Sequence, residues 1–147
     1  MTTLWKINGI DTYSTYGVGI KRGSYNEIMS PPTPRKRLEH EYTDQNGVDV
    51  DTTSPLTYEP RRFNIKVIIA AVDYTAFWTQ YNAFIAAIAT PGSFSLWVKD
   101  IGVTTHLLYE GAKCIDKTRS LRYGKVIVSY EISVLEQNPT NRTYDPN

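Results

Sequence analysis

Cysteine is nearly absent from this chain of 147 residues: Cys114 stands alone, so no internal disulfide framework can form and no thiolate pair can hold a metal. A single thiol leaves the redox compartment open, and Cys114 reads as a small buried hydrophobe because no local motif supplies it with a base. Histidine is almost as scarce. Neither His40 nor His106 has a second nitrogen or sulfur ligand at a spacing used by zinc sites, and both read as strand residues. An excess of one charge is also missing. Sixteen Lys and Arg against 15 Asp and Glu leave a formal net charge of +1, too little to form an electrostatic footprint for a polyanion, so no specific nucleic-acid binding is expected. A bilayer span needs a hydrophobic run of about 20 residues. Thr79, Gln80 and Asn82 interrupt the best candidate, and no membrane insertion is expected. Met1 to Lys6 lacks a basic region leading into an apolar run, so no signal peptide is read and the chain is expected to stay where it is made.

A local absence organises the rest: no charged residue lies between Asp73 and Val98. Asp73 can accept hydrogen bonds from the first unpaired N–H groups of a helix, and Phe77, Tyr81, Phe84, Ile85 and Ile88 follow at the spacing of one helical face. The pattern predicts a helix over about residues 73–89, stopped by Pro91-Gly92 and followed by a short strand, Phe94 to Val98. The opposite face carries Thr75, Thr79, Asn82, Ala83 and Ala86, small and neutral where a solvated helix usually carries Lys, Glu or Arg. Two readings stand there: an ordinary surface helix, or a face covered by a partner.

Everything else reads as strand. Aromatic residues make up 12%, eleven of them tyrosine, and with the many Val, Ile and Thr they favour sheets over helical bundles. Leu4 to Ile7 alternates and meets the turn dipeptide Asn8-Gly9. Tyr16 to Ile20 is a strand bent by two glycines, and Glu27 to Pro34 an extended connector restricted by three prolines. Arg35 to Tyr42 alternates as a strand. In Arg62 to Ala71, Phe63, Ile65, Val67 and Ile69 face one way, as a central strand would place them. Thr105 to Asp116 forms a long strand bent at Gly111, Lys117 to Arg122 a turn. The closing strand sets Val126, Val128, Tyr130, Ile132 and Val134 on the core side. At this length a single domain over 1–136 is expected, with a long polar loop at 43–59 and a flexible C-terminal tail at 137–147 that has nothing apolar to bury. Asn46-Gly47 is placed to turn a small hairpin protruding from that loop.

The residues that could carry chemistry do not assemble into a motif. Asp44, Asn46, Asp49 and Asp51 offer oxygen ligands, yet Gly47 comes too early for a calcium loop and no glutamate ends it. Glu39 and Glu41 share one side of a strand, as a carboxylate pair would, with no pocket attached; solvated charge explains them better. Arg35-Lys36-Arg37 and Arg61-Arg62 read as ion-pair partners, because acidic residues follow closely. Gly17-Val18-Gly19 lacks the third glycine and the helix of a dinucleotide loop. No enzyme, no metal and no cofactor is read from this sequence.

With the segments in order, the chain resembles the amino-terminal domain of siphophage distal tail proteins and, more broadly, the tail-tube fold. The likeness rests on LWKINGIDTYSTYGVGI, on the loop DQNGVDVD, and on a long strand from Arg61 followed by helix, short strand, hairpin and the closing strand VIVSYEISVLE. It implies an antiparallel β-sandwich or barrel-like sheet pair with one flanking helix. It also implies a structural subunit of a phage or prophage tail that forms a ring, commonly hexameric, at the distal tail, the baseplate hub or in the tube. The partners it implies are copies of itself and neighbouring tail-tube or baseplate proteins, with DNA passing through the lumen. Location would be the virion tail after assembly in the host bacterial cytoplasm. The carbohydrate-binding or other carboxy-terminal domain of many such proteins is not seen before Asn147. The expected oligomer interface comprises Thr75, Thr79, Asn82, Ala83 and Ala86 on the helix and Asp44, Asn46, Gly47, Asp49 and Asp51 on the loop. The alternatives are a stand-alone β-sandwich module that holds a carbohydrate or peptide on exposed Tyr and Trp, and a hydrolase using Glu39, Glu41 or an Asp of the loop.

Overall fold

A computed structural model describes residues 5–21, 24–41, 43, 44, 46–119 and 125–145, and side chains throughout these except at 118 and 119. Leu4 of the first expected strand, Tyr42, residues 120–122 of the expected turn and the last two residues of the tail lie outside them.

The fold is mainly antiparallel β, as expected. Its strands are β1 (Trp5–Ile7), β2 (Ile10–Asp11), β3 (Val18–Ile20), β4 (Glu39–His40), β5 (Asp49–Val50), β6 (Arg61–Ala71), β7 (Phe94–Val98), β8 (Val103–Arg119), β9 (Val126–Glu136) and β10 (Arg142–Tyr144). The main sheet runs β2-β1-β7-β8-β9-β6-β3, with β10 added beside β8, and β4-β5 forms a separate hairpin. The long strand β8 joins two halves. Its start, Val103 to Leu107, pairs with β7, and its remainder, from Leu108 to Arg119, pairs with β9. The register slips between Tyr109 and Gly111, the bend read from Gly111, and again between Cys114 and Asp116. A contiguous core collects Trp5, Leu96 and Leu107 from one half, Ile65, Val67, Ile69, Val126 and Val134 from the other, and Phe77, Phe84 and Ile88 from the helix. Alternation along β6 is strict, with Phe63, Ile65, Val67 and Ile69 buried.

The main helix, α3 (Tyr74–Ile88), starts where its cap predicts: the Asp73 carboxylate accepts from Ala76 N at 2.7 Å. Burying Phe77, Phe84 and Ile88 contributes roughly 1.5–3 kcal/mol each, which fixes α3 on the sheet despite its β-branched and aromatic content. The far end is tied by the Asn8-Gly9 turn. Both residues sit at positive φ, 53° and 80°, and Asn8 Nδ2 donates to the carbonyl of Ala87 in the last turn of α3 at 3.3 Å while Asn8 Oδ1 accepts from Ser95 N.

Two short helices were not anticipated: α1 (Thr12–Tyr16) and α2 (Tyr25–Met29). The first is a single turn that Asp11 caps and Gly17 ends at φ 65°. A Cβ on Gly17 would lie 2.2 Å from the Gln80 side chain of α3, so α1, β3 and α3 meet at the one residue that fits there. The second helix replaces the start of the expected extended connector, because the prolines begin only at Pro31, past its last turn.

The C-terminal segment corrects the expectation of a loose tail. Residues Arg142 to Tyr144 pair with Thr105 to Val103, prolonging the line of β9, and Pro139 is buried. The anchor is ionic, which is why an apolar pattern did not reveal it. Glu136 is 0% exposed and accepts from Arg142 Nε at 2.9 Å and Arg142 Nη2 at 2.8 Å, with Arg61 Nε 3.9 Å away. Arg142 Nη1 then donates to the Ile28 carbonyl at 2.6 Å, and Arg61 Nη1 to that of Glu27, so both guanidinium groups also satisfy carbonyls in the last turn of α2. The hydrogen-bonded Glu136 carboxylate holds the Arg142 guanidinium above its ordinary range, whereas burial, with Arg142 close by, lowers that of Arg61.

Replacing Arg142 with Ala removes the bidentate partner of a fully buried carboxylate and is expected to cost about 3 kcal/mol. A chain ending at Glu136 should lose at least as much. Thermal melting by circular dichroism checks both; an unchanged midpoint for the truncated chain would return residues 137–145 to the role of a dispensable tail.

Candidate functional site

Three surfaces stand out among the described residues: an arm, one face of α3 and a groove beside it. The arm spans residues 33–59. Its root is a two-stranded ladder in which Arg35 N donates to Thr57 O at 2.8 Å and Glu59 N to Thr33 O at 2.9 Å, around a bridge between Pro34 and Tyr58. Beyond it β4 and β5 pair Glu39 with Val50 and His40 with Asp49, and Gly47 sits at φ 83° in the tip. The expected hairpin is therefore present, although the strand read over Arg35 to Tyr42 shrinks to Glu39–His40 because the preceding residues form the irregular root. Every described residue from Thr33 to Val50 is exposed, Leu38 by 81%.

The loop positions singled out from sequence divide by environment. Asp44, Asn46, Gly47 and Asp49 are exposed at the end of the arm. Asp51 is half-buried and engaged locally: its carboxylate accepts from Ser54 Oγ at 2.6 Å, Thr53 Oγ1 at 2.8 Å and the Thr53 and Ser54 amides. Those bonds, the Ser54 hydroxyl first, hold its carboxyl well below the usual carboxylate range, so Asp51 builds a turn. The helix positions Thr75, Thr79, Asn82, Ala83 and Ala86 are all exposed, opposite the buried Phe77, Phe84 and Ile88.

The groove had not been foreseen. Tyr74, Trp78 and Tyr81 on α3 face Tyr109, Cys114 and Lys117 on β8 and Tyr130 on β9 around about 510 Å³. In its aromatic wall Trp78 and Tyr81 meet edge to face, 5.3 Å apart at 86°, and Tyr81 lies 5.7 Å from Tyr130 at a tilt of 33°. The Lys117 ammonium sits 5.0 Å from the centroid of Tyr74. Trp78 is 53% exposed. Residues 74, 78 and 81 follow helical spacing, a stripe between the buried and the neutral faces that a two-faced reading of the helix overlooks. Cys114 is exposed here, not buried, because this part of β8 has, among the described residues, a partner strand on one edge and the margin of α3 above it. Glu39, from the carboxylate pair, is held by Lys36 at 3.0 Å on the exposed arm. Among the described residues no three His, Cys, Asp or Glu side chains converge in a way that could hold a metal ion.

No family model matches the chain, and no curated protein matches it. Among solved structures it is similar to the Dit (gp 19.1) protein of SPP1, a paradigm of hub adsorption apparatus in Gram-positive infecting phages. The TM-score is 0.64 over 95% of this chain, at 12% identity. The distal tail protein fold is the fold observed here. The chain spans about half of that protein, 51% of its length.

Tyr130 supplies a pH test of the groove. Burial, then the neighbouring Cys114 and Tyr81, push its phenol from 10.0 up to about 12, and burial raises Tyr109 as well. A folded value above the unfolded one gives stability that is complete below pH 10 and lost as pH rises through about 12. Melting temperature is therefore expected to fall across that window, and Tyr130→Phe should flatten the fall. Tyrosinate absorbance followed beside melting checks it.

Proposed function

We propose that this chain is a non-enzymatic structural subunit of a phage or prophage tail. It assembles as a ring, in six copies, at the distal tail or baseplate hub or within the tail tube, with DNA traversing the lumen. It is made in the host cytoplasm and resides in the virion tail. The observation that carries this reading is the shared fold with a hub protein over 95% of the chain. Three features support it: an arm whose described residues from Thr33 to Val50 are all exposed, a charge-poor helix face, and the outer edge of β8, which has no partner strand from Leu108 to Arg119 among the described residues. The partners are further copies through Thr75, Thr79, Asn82, Ala83 and Ala86 and through the arm, and tail proteins stacked above and below. A second reading, a carbohydrate- or peptide-binding module, is favoured by the groove around Trp78 alone.

Light-scattering mass and negative-stain microscopy on the full chain test the assembly: rings support it, and a strict monomer at high concentration overturns it. The helix face is tested by Ala83→Glu and Ala86→Lys. In a monomer each costs at most about half a kcal/mol, since both positions are exposed and helical. At a contact repeated around a ring each buries an unpaired charge, a penalty of several kcal/mol per site. Unchanged melting with lost oligomer is expected; an unchanged oligomer would place this face in water.

A further inference from the structure

The sheet side of the groove exists because β8 is bulged twice. A regular strand sends alternate residues to one face, so Tyr109 and Ala112 would fall on opposite sides, as would Cys114 and Lys117. The register slips after Tyr109 and after Cys114 each insert one residue, and all four side chains come to one face, opposite Val134, Ile132, Tyr130 and Val128 of β9. Across from them Tyr74 and Trp78, both exposed, lie about 6 Å apart along the axis of α3. The polar equipment is of two kinds. Tyr74, Tyr81, Tyr109 and Tyr130 bring phenol groups to the lining, none hydrogen-bonded among the described residues, and burial keeps Tyr109 and Tyr130 protonated as donors. Lys117 is the charged group of that lining, and no carboxylate stands in it.

We propose that the groove binds an acidic saccharide: a pyranose ring stacked on Trp78, its hydroxyls toward the tyrosines, and its carboxylate or phosphate substituent against Lys117. This rests on the second reading of the groove, narrows it to one ligand class, and needs a single copy, so it holds with or without a ring. A flat, half-exposed indole matches the C–H face of a sugar, whereas an apolar peptide side chain would leave the phenols and the ammonium unmatched. The sign of the charge decides the substituent. A basic ligand is repelled by Lys117, and a neutral one gains nothing from it. The volume of about 510 Å³ lies within the range of roughly 300–1,000 Å³ usual for small-molecule sites.

Cys114 is the single thiol of the chain and lies in the groove, so its reactivity reports occupancy. Calorimetric titration of the full chain with a glucuronate-containing tetrasaccharide, glucose 1-phosphate, neutral cellotetraose and inorganic phosphate tests the proposal, with Cys114 alkylation by iodoacetamide followed in parallel. At least one acidic sugar should bind tenfold or more tighter than cellotetraose, weaken as salt is added, and slow alkylation at least fivefold at saturation. Which of the two binds tighter names the acidic group. Trp78→Ala and Lys117→Met, both at exposed positions, should melt as wild type does. The first should lose at least tenfold for every saccharide, the second only the preference for acid. Cellotetraose binding as tightly as both acidic sugars overturns the acidic class and leaves a saccharide site standing. Inorganic phosphate binding as tightly as glucose 1-phosphate removes the stacked ring and overturns the proposal. So does binding that leaves alkylation, or the Trp78→Ala affinity, unchanged, because the site is then elsewhere. No saccharide binding at all overturns both the proposal and the carbohydrate reading beneath it.

Discussion

The buried carboxylate of Glu136 is the constraint on which the outer parts of this molecule depend. A charge with no exposed surface is tolerated only when its lone pairs are filled, and Arg142 fills two of them in a bidentate pair. That pairing obliges the chain to return after residues 137–141 and lie along β8 as β10. The same two arginines reach the carbonyls of Glu27 and Ile28, so α2 is fixed at the position from which the arm departs. One ion cluster thus ties β6, β9, β10 and α2, elements remote in sequence. Hydrophobic burial holds the two halves of the sheet together, and this cluster positions what lies outside them.

The division of labour is visible along β8. Its first residues have partners on both edges, β7 and β10, and its later residues pair, among the described residues, with β9 alone. Two register slips turn the strand as it passes from one half to the other, which lets a single strand serve both layers of the core. The helix then covers the core with Phe77, Phe84 and Ile88, and its remaining margin becomes the wall of the groove.

What the sequence made legible followed from local rules. Period-two alternation in β6, the Asp73 cap, the Asn8-Gly9 turn and the bend at Gly111 all act within a few residues, and each is found where the pattern placed it; in β9 the alternation breaks at Ser129, which is buried, and at Tyr130, expected on the core side but only half-buried at the groove. What it hid depended on long-range partners. Arg142 sits in a polar run with no periodicity, and its meaning comes from Glu136 and Ile28, the latter 114 positions away. Trp78 and Tyr74 lie beside the apolar stripe, and only the approach of β8 and β9 turns that margin into a cavity. Asp51 was grouped with neighbouring acidic residues by composition, although hydrogen bonds to Thr53 and Ser54 give it a separate structural part.

Rigidity at the root and exposure at the tip are coupled properties of the arm. A β-ribbon that ended on a mobile base would lose most of its binding free energy to ordering, because each residue fixed on docking costs about 1–2 kcal/mol in backbone entropy. Here the base is ordered in advance: α2 is clamped by the arginines, Arg35 and Glu59 close the ladder, and the Asp51 turn stiffens the returning strand. The β4-β5 end, in which every described residue is exposed, therefore projects in a defined direction. A monomeric domain gains no stability from an outstretched Leu38, Val48 and Val50, whereas a subunit that must reach a neighbour gains a preorganised contact from the same residues. That asymmetry is the physical reason the assembly reading accounts for the arm where a self-sufficient binding module does not.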